Sequence, residues 1–180
     1  DQITRSGNSS ITTTISAMNP VYGILYFDNQ GTTGYSESSS AAVIQHVKQV
    51  ISSGCTLQVT AGNLQVASSS LNTNDYLMVA SNAVLDLGIH QIYTNGQQPY
   101  SGLTAGDGAR IRIAHPEGWY NGTANAAVKA TGNMGYSLHA NSIIEYYGNS
   151  SQVVTGTGTG TAQNSDNQYG VLEINKTGGS

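Results

Sequence analysis

The segment LMVASNAVLDL, residues 77–87, contains two short apolar runs separated by a small polar turn. Apolar residues alternate with other residues in each run, which is typical of a strand with one buried face. The segment LQVTAGNLQV, residues 57–66, repeats this arrangement. A strand, a short turn and a second strand facing the same way around a corner form part of a β-solenoid coil. These segments therefore predict an all-β fold, namely a right-handed parallel β-solenoid, also called a β-helix.

Similar runs recur along the rest of the chain and are rich in Val, Ile, Leu, Thr and Tyr; they include HQIYT, ARIRIA, YSLHA, SIIEYY, SQVVT and GVLEI. The alternative architecture is a β-sandwich built from antiparallel hairpins. Tight hairpins favour Asn-Gly or Asp-Gly turns. Those dipeptides occur only at residues 95–96, 107–108 and 121–122, so the solenoid is the preferred prediction. A coil is expected to contain roughly 20 to 25 residues.

Residues 41–52 permit two interpretations. The apolar residues of AAVIQHVKQVIS occur at helical spacing, and Gly54 follows as a helix-terminating residue. The larger apolar residues are all β-branched, however, and Val43, Val47 and Ile51 also share one face of a strand. A strand is the preferred prediction, and one short helix near 41–52 is the alternative.

Two similar lines occur at opposite ends of the chain. VYGILYFDNQG spans residues 21–31 and QYGVLEINKTG spans residues 168–178, and the word GNSS precedes each of them. A repeated phrase of this kind indicates a tandem array. Because both follow Tyr-Gly, Ile24 and Val171 are expected to occupy equivalent inward positions.

This repetition predicts the domain organisation. Residues 1–34 are interpreted as the end of a preceding repeat copy, and residues 35–180 as one further repeat of the same continuous β-solenoid. Neighbouring repeats of the same chain are the expected partners, because each coil of a solenoid leaves edges that another coil must cover.

Composition excludes several classes of protein. Charged residues make up 9% of the chain and the formal net charge is −4, whereas 38% of the residues are apolar. This balance predicts a folded protein without the basic surface that nucleic acid requires. No stretch approaches the roughly 20 apolar residues of a membrane span. The single cysteine, Cys55, alternates with Leu57 and Val59, which predicts a small buried residue rather than a reactive thiol.

The densest group of ionisable residues lies between positions 107 and 117 and comprises Asp107, Arg110, Arg112, His115 and Glu117. A carbohydrate-cleaving β-helix of the lyase, hydrolase or tailspike type would need such groups to converge on a groove. Arg110 and Arg112 instead alternate with Ile111 and Ile113, as on the polar face of an amphipathic strand. The preferred prediction is that the protein has no catalytic residues, and the carbohydrate-active β-helix is the alternative.

No cofactor or metal site is predicted, because the four histidines are isolated from one another and from Cys55. Four aromatic residues are candidates for weak ligand binding: Trp119, Tyr120, Tyr146 and Tyr147. Exposed rings of this kind would stack on sugars. The alternative is that the turn-flanking aromatics form a lid over one end of the core.

Four segments in order, LMVASNAVLDLGIHQIYTNG, GARIRIAHPEGW, YSLHANSIIEYYGNSSQVVTG and YGVLEINKTGG, resemble the β-helical repeats of very large cell-surface and secreted proteins of Bacteroidota, including gliding and adhesion proteins. The resemblance covers residues 77–179 and 21–31, and the chain departs from it at 43–51 and 155–168.

The resemblance implies a structural or adhesive repeat segment that acts as a rod-like spacer. It also implies export by the type IX route and an extracellular, cell-surface location. The implied partners are surface glycans or other cell-surface proteins.

Overall fold

The structure is a computed structural model of the 180-residue chain. It describes residues 2–7, 11–14, 23–29, 32–36, 47–67, 76–94, 102–120, 125–129, 135–154 and 169–178. The strands in these ranges are β1 (Gln2–Gly7), β2 (Ile11–Thr14), β3 (Gly23–Asn29), β4 (Thr32–Ser36), β5 (Val47–Ile51), β6 (Thr56–Ala61), β7 (Leu64–Ala67), β8 (Tyr76–Val79), β9 (Val84–Gly88), β10 (Ile92–Thr94), β11 (Gly102–Ala105), β12 (Arg110–Ile113), β13 (Gly135–Leu138), β14 (Ile143–Gly148) and β15 (Val171–Lys176). No helix occurs in these ranges, which confirms the all-β prediction.

The strands form parallel sheets. A six-stranded sheet has the order β1-β3-β5-β8-β11-β13, a seven-stranded sheet has the order β15-β14-β12-β9-β6-β4-β2, and β7 pairs with β10. Every pairing between these strands is parallel. Because all of these pairings between the described strands are parallel, the antiparallel sandwich alternative is wrong.

Paired strands are far apart in sequence. Arg112 binds Asp86 on the neighbouring strand 26 residues earlier and Glu145 on the opposite neighbour 33 residues later. Both intervals exceed the roughly 20 to 25 residues expected for a coil, whereas the pairing of β1 with β3, which aligns Gln2 with Ile24, falls within that range. The chain between β9 and β12 contains β10 in addition to β11, and the chain between β12 and β14 contains residues 114–120 and 125–129 in addition to β13, so both intervals are long.

Tight turns connect the six-stranded sheet to the seven-stranded sheet. In each described turn the fourth residue donates a backbone hydrogen bond to the first, at 2.8–3.1 Å. The fourth residue is small and buried, and the set comprises Cys55, Ala83, Ala109 and Ser142. The prediction for Cys55 is therefore confirmed. A larger side chain at this position would enter the space between two sheets, which explains why small residues recur there.

The core lies between the sheets. Its inward residues are in register from strand to strand and are almost completely buried: Leu77 and Leu103 on the six-stranded sheet, Leu57, Leu85, Ile111 and Ile144 on the seven-stranded sheet, and Leu64, Ile92 and Val128 along the β7–β10 pair and its bridge to residue 128. Parallel strands stack like residues at about 4.8 Å intervals. A run of aliphatic side chains therefore fills the interior continuously.

The described part of the 41–52 segment is a strand. β5 begins at Val47 and pairs in parallel with β3 and β8. Gln49 and Ile51 are fully buried, and Val50 between them is 9% exposed. The helix alternative is therefore wrong for residues 47–51, whereas residues 41–46 lie outside the described ranges.

The two similar lines occupy different sheets. The first forms β3 in the six-stranded sheet and the second forms β15 in the seven-stranded sheet. Val171 is 43% exposed and aligns with Ile143, whereas Leu172 aligns with the buried Ile144. The inward direction on β15 therefore belongs to Leu172, and the expected inward position of Val171 is wrong. Register with β14, rather than distance from Tyr-Gly, determines which face of β15 points inward.

The proposed boundary between residues 34 and 35 falls inside β4. Both large sheets continue across this position. The division into two repeat copies stays a prediction. In the described residues no helix is long and apolar enough to cross a membrane.

Candidate functional site

A row of charged side chains crosses the outward face of the seven-stranded sheet. This charged ladder comprises Asp86 on β9, Arg110 and Arg112 on β12, Glu145 on β14 and Glu173 on β15. In β12 the isoleucines are buried and the arginines are half-buried on the opposite face. The predicted amphipathic strand is therefore confirmed, and strand alternation alone places both arginines on the ladder.

The ladder is a continuous chain of ion pairs. Arg112 Nη1 lies 2.9 Å from Asp86 Oδ2, and Arg112 Nε lies 3.0 Å from Glu145 Oε2. Arg110 Nη1 lies 2.8 Å from Glu145 Oε2 and 2.8 Å from Glu173 Oε2. Each arginine therefore joins carboxylates on two different strands, so the ladder links four neighbouring strands of the sheet.

The central carboxylate is held in its charged form. The side chain of Glu145 is only 4% exposed. This burial by itself would raise the pKa of Glu145, but hydrogen bonds from Arg110, Arg112 and Asn175, together with the charge of Arg112, outweigh it and lower the pKa. Burial likewise opposes the charge of Arg110, yet the hydrogen bonds and charges of Glu145 and Glu173 raise its pKa.

Tyr147 covers part of the ladder. The guanidinium carbon of Arg112 lies 4.2 Å from the centre of the Tyr147 ring, which is the geometry of a cation–π contact. The Tyr147 hydroxyl donates a 2.7 Å hydrogen bond to Asp86 Oδ1. Burial and this bond raise the pKa of Tyr147. Asp86 Oδ1 also accepts a 3.0 Å bond from the backbone N–H of Gly88, so Asp86 is held from three sides.

The five ionisable residues singled out in the sequence do not form one cluster. Asp107 lies at a corner turn, where it accepts a 2.8 Å hydrogen bond from Asn141 and lies 3.4 Å from His139 Nδ1. His115 accepts a 3.2 Å hydrogen bond from the backbone N–H of Glu117 in the turn after β12. Partial burial lowers the pKa of His115. Only the two arginines of the five meet on the ladder.

The carboxylates that bind these two arginines are not evident from residues 107–117, because each carboxylate lies on another strand. The sequence does contain a signal for this row of charges. Each of Asp86, Arg112, Glu145 and Glu173 directly follows an apolar residue, and these four apolar residues align in one inward column. These four pairs are Leu85-Asp86, Ile111-Arg112, Ile144-Glu145 and Leu172-Glu173. Aligning the segments on those apolar residues brings the four charges into one row from the sequence alone.

The aromatic residues proposed to bind ligands are mostly interior. Trp119 and Tyr146 are fully buried and Tyr120 is 7% exposed. The Trp119 ring meets Tyr136 edge to face at 5.5 Å, and the Trp119 backbone N–H donates a 3.0 Å hydrogen bond to the Tyr146 hydroxyl. We call Trp119, Tyr120, Tyr136 and Tyr146 the aromatic plug. The expected exposure is wrong for Trp119, Tyr120 and Tyr146, because their side chains lie in the core.

Burial affects the chemistry of the plug. It raises the pKa of Tyr136 to about 12. Tyr147 is the fourth proposed ligand-binding residue and is half-buried on the outward face. A role in weak ligand binding stays a prediction for Tyr147.

One edge strand exposes apolar side chains. On β15, Val171, Leu172 and Ile174 are 43%, 40% and 59% exposed. β15 is the terminal strand of its sheet. Leu172 and Ile174 align with the buried Ile144 and Tyr146 of β14. The hydrophobic core is therefore exposed to solvent along β15.

Within the described ranges, no group of three or more His, Cys, Asp or Glu side chains is arranged to bind a metal ion. Comparisons with protein-family models, curated proteins and solved structures found no match to this chain. Function is therefore inferred from the charged ladder, the aromatic plug and the β15 edge.

Proposed function

We propose that this chain is a segment of a right-handed parallel β-solenoid that acts as a rod-like, non-catalytic spacer in a large bacterial cell-surface protein. From β1 to β14, the strands of the two large parallel sheets alternate along the chain, and this alternation carries the proposal. Tight turns repeated at one corner support it, because they allow the chain to pass around the same path in successive coils. The right hand follows from the strong preference for right-handed connections between parallel strands.

A spacer must resist separation of its coils, and three features favour this property. Parallel hydrogen bonds connect neighbouring coils along both large sheets. Aliphatic columns fill the interior, and the charged ladder ties the outward faces of four successive strands. Each coil would extend the rod by about 4.8 Å. Repeat proteins of this type derive their stability from such contacts between nearest neighbours.

The absence of catalysis is proposed because the ladder charges are engaged with one another. Each ladder arginine binds two carboxylates, and both Asp86 and Glu145 are nearly buried. A catalytic group in a lyase or hydrolase needs access to substrate and a pKa suited to proton transfer. Recognition of surface glycans or of other cell-surface proteins is the adhesive part of the proposal, and Tyr147 is the aromatic candidate on the outward face.

The test uses the 180-residue chain and a panel of acidic and neutral polysaccharides. Release of reducing ends and formation of unsaturated uronates are measured alongside binding. We expect no product, and at most weak binding that decreases in Tyr147→Ala. The matched control is the Arg110→Ala/Glu117→Ala double variant. Product formed by the wild type and lost in the double variant would contradict the spacer proposal and favour a carbohydrate-active β-helix.

A further inference from the structure

The edge of β15 has the features of an incomplete strand pairing. Leu172 and Ile174 continue two inward columns whose preceding members, Ile144 and Tyr146, are fully buried. The β15 residues are 40% and 59% exposed because the described residues provide no strand beyond β15. An added strand at this position would bury both side chains by the same packing that buries their neighbours.

The backbone of β15 is also suited to pairing. The N–H of Val171 donates a 2.8 Å hydrogen bond to the carbonyl oxygen of Ser142, next to β14. Donor direction alternates along a strand, so the N–H groups of Leu172 and Ile174 point to the opposite edge. Unpaired edge groups of this kind bind an extended segment by β-augmentation.

The charge of the ladder indicates which residue an added strand should carry. Glu145 and Glu173 are direct neighbours in register, so two carboxylates are adjacent at this end of the ladder. Arg110 contacts both, yet the ladder has three carboxylates and only two guanidinium groups. The Glu173 side chain is 39% exposed. A cation placed beyond Glu173 would balance the charge.

The chain already contains a strand with the required pattern. In β12, Ile111, Arg112 and Ile113 align with Ile144, Glu145 and Tyr146 of β14. β15 presents Leu172, Glu173 and Ile174 at the positions that correspond to those three residues of β14. A strand with the chemistry of β12 would therefore complement β15 as β12 complements β14.

We propose that the edge of β15 binds a parallel strand with an apolar–cation–apolar pattern, in which the apolar residues face the columns of Leu172 and Ile174 and the Arg or Lys faces Glu173. This inference deepens the proposed function and rests on it, since in a solenoid the bound strand is the next coil.

The experiment uses the 180-residue chain and a labelled peptide, acetylated and amidated, with the sequence GARIRIA of residues 108–114. Binding is measured by fluorescence anisotropy, and amide exchange of Leu172 and Ile174 is followed by NMR. The matched control peptide has glutamate in place of the second arginine. We expect saturable binding, slower exchange at both amides, and binding of the control peptide about tenfold weaker.

A charge reversal separates specific pairing from general adhesion. Glu173→Arg should weaken binding of the arginine peptide about tenfold and strengthen binding of the glutamate peptide by a similar factor. Equal binding of both peptides, or no binding, would overturn the inference when circular dichroism shows the native β-structure. An experimental structure without stacked parallel strands would instead contradict the proposed function, so the two failures are distinguishable.

Discussion

Arg110 and Glu145 form a 2.8 Å ion pair across neighbouring strands, although 35 residues separate them in the sequence. Arg112 binds the same carboxylate oxygen at 3.0 Å. One nearly buried carboxylate thus receives two guanidinium groups from a single strand. This arrangement makes Glu145 the central member of the charged ladder and the residue whose replacement should affect it most.

Replacing Glu145 with glutamine should lower the free energy of unfolding by about 1–3 kcal/mol, because both arginines lose a nearly buried charged partner. The measurement is urea denaturation followed by circular dichroism. Glu173→Gln is the matched control. Its side chain is 39% exposed, so the expected loss is about 0–1 kcal/mol. Equal losses in the two variants would contradict the central role of Glu145.

The contribution of Glu145 should depend on pH in one direction. Its pKa is lowered in the folded protein, so the stabilisation is complete above the usual glutamate pKa, about 4.3, and is lost as the pH falls through the folded-state value. Asp86 and Glu173 are the other carboxylates that contact the arginines. The difference in melting temperature between wild type and Glu145→Gln isolates Glu145. We expect it to be constant from pH 7 to about 5 and to narrow at lower pH; a widening difference would contradict this assignment.

Gly170 should not tolerate a side chain. A Cβ at this position would lie 2.5 Å from the carbonyl oxygens of His139 and Ala140, both backbone atoms that cannot rotate away. Gly170→Ala should therefore reduce the free energy of unfolding by about 1–3 kcal/mol. Gly178→Ala is the control, since no atom lies within 4 Å of its Cβ position. Thermal denaturation of both variants checks the prediction, and an unchanged melting temperature for Gly170→Ala would refute it.

Trp119→Ala should remove the largest member of the aromatic plug. Because Trp119 is fully buried, the expected loss is about 3–5 kcal/mol. Tyr147→Phe is the control, as it removes only the hydroxyl that binds Asp86 and should cost about 1 kcal/mol. Urea denaturation measures both. A Trp119→Ala variant with wild-type stability and weaker glycan binding would instead indicate an exposed platform.

Sequence patterns were informative where structure depends on neighbouring residues. Alternation along ARIRIA predicted the outward arginines and inward isoleucines, and the same rule predicted burial of Cys55. Both follow from the two-residue period of a strand, which any short segment reveals. The all-β class was predictable for the same reason, because many short alternating runs were separated by turns.

Tertiary structure decided which strands became neighbours and which faces met. The partners of Arg110 lie 35 and 63 residues later, and intervening segments of unequal length leave that register undetermined in the sequence. Trp119, in the turn region after β12, is buried against Tyr136 of β13, and Val171 faces outward because β15 aligns with β14. A strand's alternation establishes that it has two faces, but only pairing and packing with distant strands determine which face is buried and which charges come into contact.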